Sequence, residues 1–242
     1  MGLMSLIRSA VLISICSAVD ASAASLQIFP VNIEVKAPAS AAILTLRNLD
    51  DHVAATQIRV FRWRQRGGKD ALEPTQSVVA SPPAANLKPD TDYTVRIVRV
   101  DRSPIAGEES YRLLVDQIPD SAQLKAGAVN LAIRYSIPVF FSNSPQAAKV
   151  SWSITEKAGH IQLMAINSGQ QRLKITNLTL TNSRGQVLNF GNGLLGYVLG
   201  GGSQEFNSHV LPASYASGGK FLIRFDTDNG PLEVTVAGQN AN

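Results

Sequence analysis

The succession of short, strand-like runs constrains this chain more than any other sequence feature. Runs of alternating or β-branched side chains end at turn formers such as Gly, Pro, Asn and Asp, which is typical of strands and tight turns. No stretch of the chain has a persuasive helical period. In the first half the runs cover 25–35, 42–49, 57–63, 93–100, 111–118 and 129–141. In the second half they cover 149–155, 161–166, 173–181, 186–190, 197–199, 221–225 and 232–236.

This pattern predicts an all-β chain of two immunoglobulin-like β-sandwich domains. The first half has six clear strands, and the irregular stretch 72–81 leaves room for a seventh, as in a seven-stranded sandwich. The polar segment 142–146 interrupts the pattern and is the expected short hinge. We therefore place the two domains at 24–142 and 143–242.

The N-terminal residues have the form of an export signal. Arg8 precedes the apolar stretch 10–18, which is too short to span a bilayer, and Ala21-Ser22-Ala23 has the small-x-small pattern of a signal-peptidase site. We therefore expect residues 1–23 to be a cleaved signal peptide and no membrane insertion afterwards. Cys16 is the one cysteine and lies within this segment, so no disulfide supports the exported protein and its core must supply the stability.

Charge and motif content argue against catalysis and against nucleic-acid binding. The formal net charge is +4 without a basic run, and nucleic-acid binding favours a clustered basic stripe. A basic cleft for one or two carboxylates fits this balance better. His52, His160 and His209 lack partners at metal-ligand spacing, and no nucleophile elbow or phosphate loop is present. We expect no catalytic residue, no metal site and no cofactor.

The most informative segment is 129–141. With a side-chain period of two, one apolar row lies on a single face of this strand. Either that row fills the core of its own sandwich, or the strand lies at a sheet edge and offers the row and its backbone groups to another protein. Periodicity alone does not decide between these alternatives. The row consists of Val129, Leu131, Ile133, Tyr135 and Ile137.

Several segments resemble the PapD-like periplasmic chaperones of chaperone–usher pilus systems. The resemblance is dense from Ser25 to Phe141 and thin in the second half. It implies a periplasmic chaperone that folds and caps pilus subunits by lending them its G strand, then delivers them to an outer-membrane usher. The segments are Ser-Leu-Gln-Ile-Phe-Pro at 25–30, Leu-Thr-Leu-Arg-Asn at 44–48, Val-Phe-Arg-Trp at 60–63, the Pro-Pro turn at 80–83, Tyr-Arg-Leu-Leu-Val-Asp-Gln-Ile-Pro at 111–119 and Arg-Tyr-Ser-Ile-Pro-Val-Phe-Phe at 134–141.

The resemblance also implies which residues serve these roles. The lent row falls on Val129, Leu131 and Ile133, and Tyr135 and Ile137 continue it. In the better-known branch an Arg and a Lys bind the subunit's C-terminal carboxylate in the cleft between the domains. Here Pro30 and Pro138 occupy those positions, which is similar to the archaic, Csu-type branch.

The carboxylate anchor must then come from other cations. Antiparallel pairing of the F and G strands would bring Arg112 beside Pro138 at the cleft, so Arg112 is the first candidate. Lys149, just past the hinge, is the second, and Arg134 is the third.

Other classes remain as alternatives at this stage. A secreted adhesin or carbohydrate-binding module would use exposed aromatic side chains, and aromatic residues make up only 6% of the chain. A pilus subunit would be shorter and often carries a cysteine pair, and an enzyme comes last. The sequence leaves open whether the free form covers its own strand edge by self-association.

Overall fold

Every regular element of the described residues is a β-strand. The computed structural model describes residues 26–119, 132–143, 147–157, 159–209 and 219–238. The predicted all-β class is confirmed. Within these ranges, no helix has the length and apolar character needed to cross a membrane. The expected signal peptide at 1–23 and part of the expected hinge lie outside the described residues.

The first half of the chain forms two facing sheets. One sheet has the order β1-β3-β8-β6, and the other has the order β2-β10-β9-β4-β5 with β7 beside β4. Alternation of buried and exposed positions turns one face of each sheet inward. The strands are β1 (Leu26–Phe29), β2 (Ile33–Lys36), β3 (Ala41–Asn48), β4 (Ala54–Arg66), β5 (Lys69–Pro74), β6 (Val78–Ser81), β7 (Ala84–Leu87), β8 (Asp92–Arg99), β9 (Glu108–Ile118) and β10 (Arg134–Ser142).

The core of this half lies between the two sheets. Leu44 and Leu46 of one sheet and Tyr111, Leu113 and Phe141 of the other are fully buried there. Each such side chain contributes about 1.5–3 kcal/mol by leaving water. Burial on this scale accounts for a stable sandwich without a disulfide.

The first predicted strand is in fact two strands. β1 pairs with β3, whereas β2 runs parallel to β10, so the chain changes sheets between them, where Pro30 lacks the N–H that a continuous strand would need. A single run at 25–35 was therefore the wrong prediction. The consequence for function is that β2 covers the edge of β10 only from Val139 to Ser142.

The stretch 72–81, which was predicted to be irregular, contains the end of β5 and the whole of β6. β4 continues to Arg66 and turns back into β5 through Gly67 and Gly68, whose φ angles of 57° and 79° suit a two-residue hairpin turn that requires positive φ at both positions. This hairpin pairs Gln65 with Asp70. Both residues belong to the site described below.

The second half forms a further sandwich. Its sheets have the orders β11-β12-β16 and β14-β13-β17-β18, with β15 beside β13, and they enclose buried side chains such as Trp152, Leu163 and Ile223. β16 was not predicted, because Phe206 is its one buried apolar residue. The strands are β11 (Val150–Lys157), β12 (His160–Asn167), β13 (Leu173–Thr181), β14 (Val187–Asn189), β15 (Leu194–Val198), β16 (Ser203–Asn207), β17 (Lys220–Thr227) and β18 (Gly230–Ala237).

Candidate functional site

Four apolar side chains pack together where the two halves of the chain meet. Trp63 and Phe140 come from the first half, and Tyr197 and Leu199 from the second, and all four are buried. The rings of Trp63 and Tyr197 meet edge-on with their centroids 5.6 Å apart, and those of Phe140 and Tyr197 are 5.5 Å apart. Aromatic pairs at such distances stabilise beyond their buried area. We call these four residues the joint cluster.

A buried glutamine joins the halves beside this cluster. The side-chain amide N–H of Gln65 donates to the backbone carbonyl of Tyr197 at 2.7 Å, and its carbonyl oxygen accepts from the backbone N–H of Leu199 at 2.8 Å. The same Gln65 nitrogen lies 3.0 Å from the Oδ1 atom of Asp70. This nitrogen also lies 2.8 Å from Oε1 of Gln204, so its two N–H groups serve three acceptors, of which Asp70 is the most distant.

Arg112 lies on the outer face of the larger sheet, directly above the joint cluster. In register it is flanked by Pro138 on β10 and Phe61 on β4, so the expected position beside Pro138 is confirmed. Its guanidinium stacks 3.6 Å from the ring centroid of Trp63, and its side chain is only 18% exposed. A stacked guanidinium of this kind is pre-oriented to bind a planar carboxylate.

The charge of Arg112 has little compensation. Among the described residues, the nearest carboxylate oxygen is Oδ2 of Asp70, which lies 4.0 Å from Nη2 of Arg112 and thus beyond hydrogen-bonding distance. Burial lowers the pKa of Arg112, and Asp70 and Tyr197 partly offset that effect. The side chain nonetheless stays protonated, because an arginine does not lose its proton in a protein. Within the part of the chain that the structure describes, the Arg112 guanidinium therefore has free hydrogen-bonding capacity.

Two further cations, Arg172 and Lys174, lie near the Tyr197 hydroxyl, as Arg112 does. Burial raises the pKa of the Tyr197 hydroxyl, and Lys174, Arg172 and Arg112 act in the opposite direction. Three positive side chains from both halves thus lie near one hydroxyl group. Lys174 is itself paired with Asp228 at 2.8 Å.

Arg172 is bonded to two carboxylates within the protein. Its guanidinium lies 3.7 Å from the ring centroid of Phe140 and donates to the carboxylates of Glu34 and Glu108. The backbone N–H of Arg172 also donates to Glu108, at 3.1 Å. The Glu108 side chain is 3% exposed, and this burial raises its pKa, against the opposing effect of Arg172. Two carboxylates therefore hold Arg172 as part of the joint.

The structure does not bring the other two predicted anchors to Arg112. Arg134 pairs in register with Asp116 and forms an ion pair with it. That position is four residues along the strand from Pro138, or about 13 Å at the usual rise of a strand. Lys149 is exposed, its backbone N–H donates to Asn167, and it is not among the cations that act on Tyr197.

One edge of β10 is open next to Arg112. The N–H of Gln117 donates to the carbonyl of Ile133, so odd-numbered residues of this antiparallel pair bond to β9 and even-numbered residues point their backbone groups away from it. Among the described residues, no strand pairs with β10 on that side before Val139. Arg134 and Ser136 thus present a free N–H and carbonyl, and Pro138 presents a carbonyl only.

The apolar row of β10 divides into two parts. Ile137 is 4% exposed and belongs to the core of its own sandwich, and Tyr135 packs against that core and donates its hydroxyl to the carbonyl of Leu26 at 2.7 Å. Ile133 is half-buried. Val129 and Leu131 lie outside the described residues. The core alternative thus holds for Ile137, and the lending role stays a prediction for the earlier positions.

Some residues of the joint were missed by sequence reasoning. Gln65 follows Phe61 and Trp63 at the two-residue period of β4, which would have placed it on the same face as Arg112. Arg172 and Tyr197 carry no such signal, because they reach the joint only through the packing of one half on the other.

A turn in the first half holds the one grouping of potential metal ligands found among the described residues. It consists of Asp50, Asp51 and His52, the last two of them exposed. Exposed acidic groups in one turn commonly lie together without any ion. This grouping does not contribute to the site at the joint.

Comparison with known proteins gives one family and many solved structures. The family described as "Pili and flagellar-assembly chaperone, PapD N-terminal domain" matches residues 25–148. A structure of the CsuC–CsuE chaperone–tip adhesion subunit pre-assembly complex, from the archaic chaperone–usher Csu pili of Acinetobacter baumannii, is similar to this chain with 25% identity and a TM-score of 0.66. The match covers 90% of this chain and 100% of that chain.

More distant structures share the fold. The E. coli chaperone DraB is 22% identical with a TM-score of 0.56, over 88% of this chain and 98% of that chain. The Salmonella enterica SafA pilin complex with the SafB chaperone gives 18% identity and a TM-score of 0.59, over 88% of this chain and 96% of that chain. Curated protein sequences give no match.

Proposed function

This chain belongs to the family of pili and flagellar-assembly chaperones with a PapD N-terminal domain, and from that premise we propose that it captures pilus subunits by donor-strand complementation. It acts in the periplasm after cleavage of residues 1–23 and passes its subunit to an outer-membrane usher. The similarity to the Csu complex, together with Pro30 and Pro138, places it in the archaic branch.

The observation that carries this proposal is the open edge of β10 beside the stacked Arg112. A subunit strand that adds to this edge satisfies the free backbone groups of Arg134 and Ser136. Pro138 has no N–H to donate, so backbone pairing ends there, at the residue that flanks Arg112. The end of the added strand and Arg112 therefore lie at the same register position.

In this mechanism Arg112 binds the C-terminal carboxylate of the subunit. Its position above Trp63 fixes the plane of the guanidinium, so little side-chain entropy is lost when the carboxylate arrives. Lys174 and Arg172 add positive potential at the joint but keep their own partners. Arg112 is thus the anchor, and Lys149 and Arg134 are not needed for it.

The lent side chains are Val129, Leu131 and Ile133. Ile137 and Tyr135 fasten the same strand to the chaperone's own core, so that the earlier part of the strand is offered from a rigid base. Filling an apolar groove with three such side chains removes several hundred Å² from water, or on the order of 10 kcal/mol before the cost of association.

Periplasmic co-expression with a pilin encoded beside this gene tests the proposal. We expect the pilin to co-purify with the chaperone and to be degraded without it. Arg112→Ala should lower the recovered complex at least tenfold, whereas Arg96→Ala, at an exposed position of the other sheet, should leave it unchanged. A pilin that is equally soluble without this protein would refute the chaperone role.

The lent row is tested by Ile133→Asp in the same assay. A charge at a position that enters an apolar groove should abolish capture while the free chaperone keeps its unfolding temperature. If the variant unfolds the free protein, Ile133 belongs to the chaperone's own core. Thr94→Asp on an exposed position of β8 is the matched control.

A further inference from the structure

The anchor site contains a carboxylate of its own. Oδ2 of Asp70 lies 4.0 Å from Nη2 of Arg112, which is close enough for charge attraction and too far for a hydrogen bond. Asp70 is nearly half exposed, at 47% of its side chain. It therefore faces the same solvent-filled space that a ligand of Arg112 must enter.

Asp70 has a hydrogen-bond partner other than Arg112. The amide of Gln65 holds its Oδ1 atom at 3.0 Å, and the hairpin register sets Gln65 opposite Asp70. Gln65 is in turn fixed across the joint by the backbone of Tyr197 and Leu199. The carboxylate is thus bonded to a residue whose contacts reach into the second half of the chain.

Arg112 does not need Asp70 for its orientation. The stacking contact with Trp63 at 3.6 Å already sets the plane of the guanidinium. A nearby acid at this distance attracts the cation and partly offsets the effect of its burial, and it has a second electrostatic effect on any ligand. It repels any second carboxylate that binds there, and like charges within several ångströms in a partly buried site repel strongly.

We infer that the Asp70 carboxylate competes with the subunit's C-terminal carboxylate for Arg112. This competition weakens the binding of the subunit's carboxylate and so keeps capture reversible. This inference rests on the proposed function. A chaperone that transfers its subunit to another protein must be able to release it. The negative charge of Asp70 limits the affinity of Arg112 for the subunit's carboxylate. Gln65 bonds to Asp70 and to the backbone of Tyr197 and Leu199, so the contact between the two halves influences this affinity.

The test uses a short synthetic peptide of alternating valine and threonine, made with a free C-terminal carboxylate and as the C-terminal amide. Binding is followed by NMR at the indole N–H of Trp63, with the buried Trp152 indole as an internal reference. The measured quantity is the ratio of the two affinities, because this ratio isolates the contribution of the carboxylate. The native protein should prefer the carboxylate form.

Asp70→Asn should raise this preference by roughly 3–10-fold. Glu73→Gln removes the same charge from the same strand but at an acid that pairs with Arg64 and Arg66, and it should leave the preference unchanged. Arg112→Ala should abolish the preference, and Asp70→Asn should not restore it in that background. This pattern would assign the competition to the Asp70–Arg112 pair.

Other outcomes overturn the inference in distinguishable ways. An unchanged or smaller preference in Asp70→Asn would show that Asp70 does not compete, and the anchor role of Arg112 would still stand. An equal rise in Glu73→Gln would assign the effect to net charge. If the native protein shows no preference for the carboxylate, the anchor itself fails, and the role of Asp70 fails with it.

Discussion

Two arginines stack on different rings of the joint cluster, and their surroundings differ sharply. Arg172 lies over Phe140 and is bonded to Glu34 and Glu108, whereas Arg112 lies over Trp63 with one carboxylate 4.0 Å away. Both side chains are largely buried. The comparison shows that burial and stacking are common to both arginines, which differ in the number of carboxylates that bond to them.

The two arginines differ because the carboxylates near them differ in burial. Removing Arg172 would leave Glu108 buried without its cation, and a buried unpaired carboxylate is costly. Removing Arg112 would leave Asp70, which is nearly half in water and keeps its bond to Gln65. The first cation therefore stabilises the joint, and the second is free to stabilise a ligand.

The largest expected effect is that of Arg172→Ala on stability. Stranding Glu108 in the joint should lower the free energy of unfolding by about 3–5 kcal/mol. Arg224→Ala is the matched control, because its pair with Glu233 is exposed and should contribute no more than about 1 kcal/mol. Urea unfolding followed by tryptophan fluorescence measures both. Equal losses in the two variants would remove the distinction between the two arginines.

The loss of stability in Arg172→Ala should depend on pH, and this dependence tests whether Glu108 is its cause. Burial already raises the pKa of Glu108, and the Arg172→Ala variant lacks the cation that acts to lower this pKa. A carboxyl whose folded pKa is raised holds its proton more tightly when folded, so stability falls as pH rises through the range above its ordinary pKa. The destabilisation by Arg172→Ala should therefore be smaller at about pH 5 than at about pH 8. Unfolding curves at the two pH values measure this difference, and an identical loss at both would mean that Glu108 does not carry it.

The difference between the two arginines also separates what the sequence predicts from what it cannot. Arg112 was predictable, because strand register follows from a side-chain period of two and places it opposite Pro138. Both the all-β class and the open G-strand edge depend on such local rules. The change of sheet between β1 and β2 was missed, although the buried positions shift from even-numbered residues in β1 to odd-numbered residues in β2 and Pro30 lies between the two strands.

Arg172 was not predictable, for a related reason. Its role depends on Glu34 and Glu108, which are distant in sequence and meet it only after one sandwich packs on the other. Lys149 was named as the second candidate because it follows the hinge directly, and its side chain is exposed. The cations that act on Tyr197 come from β9, β13 and the turn before it.

The smallest expected effect is that of Arg112→Ala on the free protein. The variant loses one stacking contact with Trp63 and strands no buried acid, so the free energy of unfolding should change by about 1 kcal/mol or less. That value should lie close to the loss in Arg224→Ala and far below the loss in Arg172→Ala. The same urea titration measures it, on the preparation used for subunit capture. A loss of capture with this little change in stability assigns Arg112 to binding, and a loss of stability as large as that of Arg172→Ala would make both arginines parts of one structural joint.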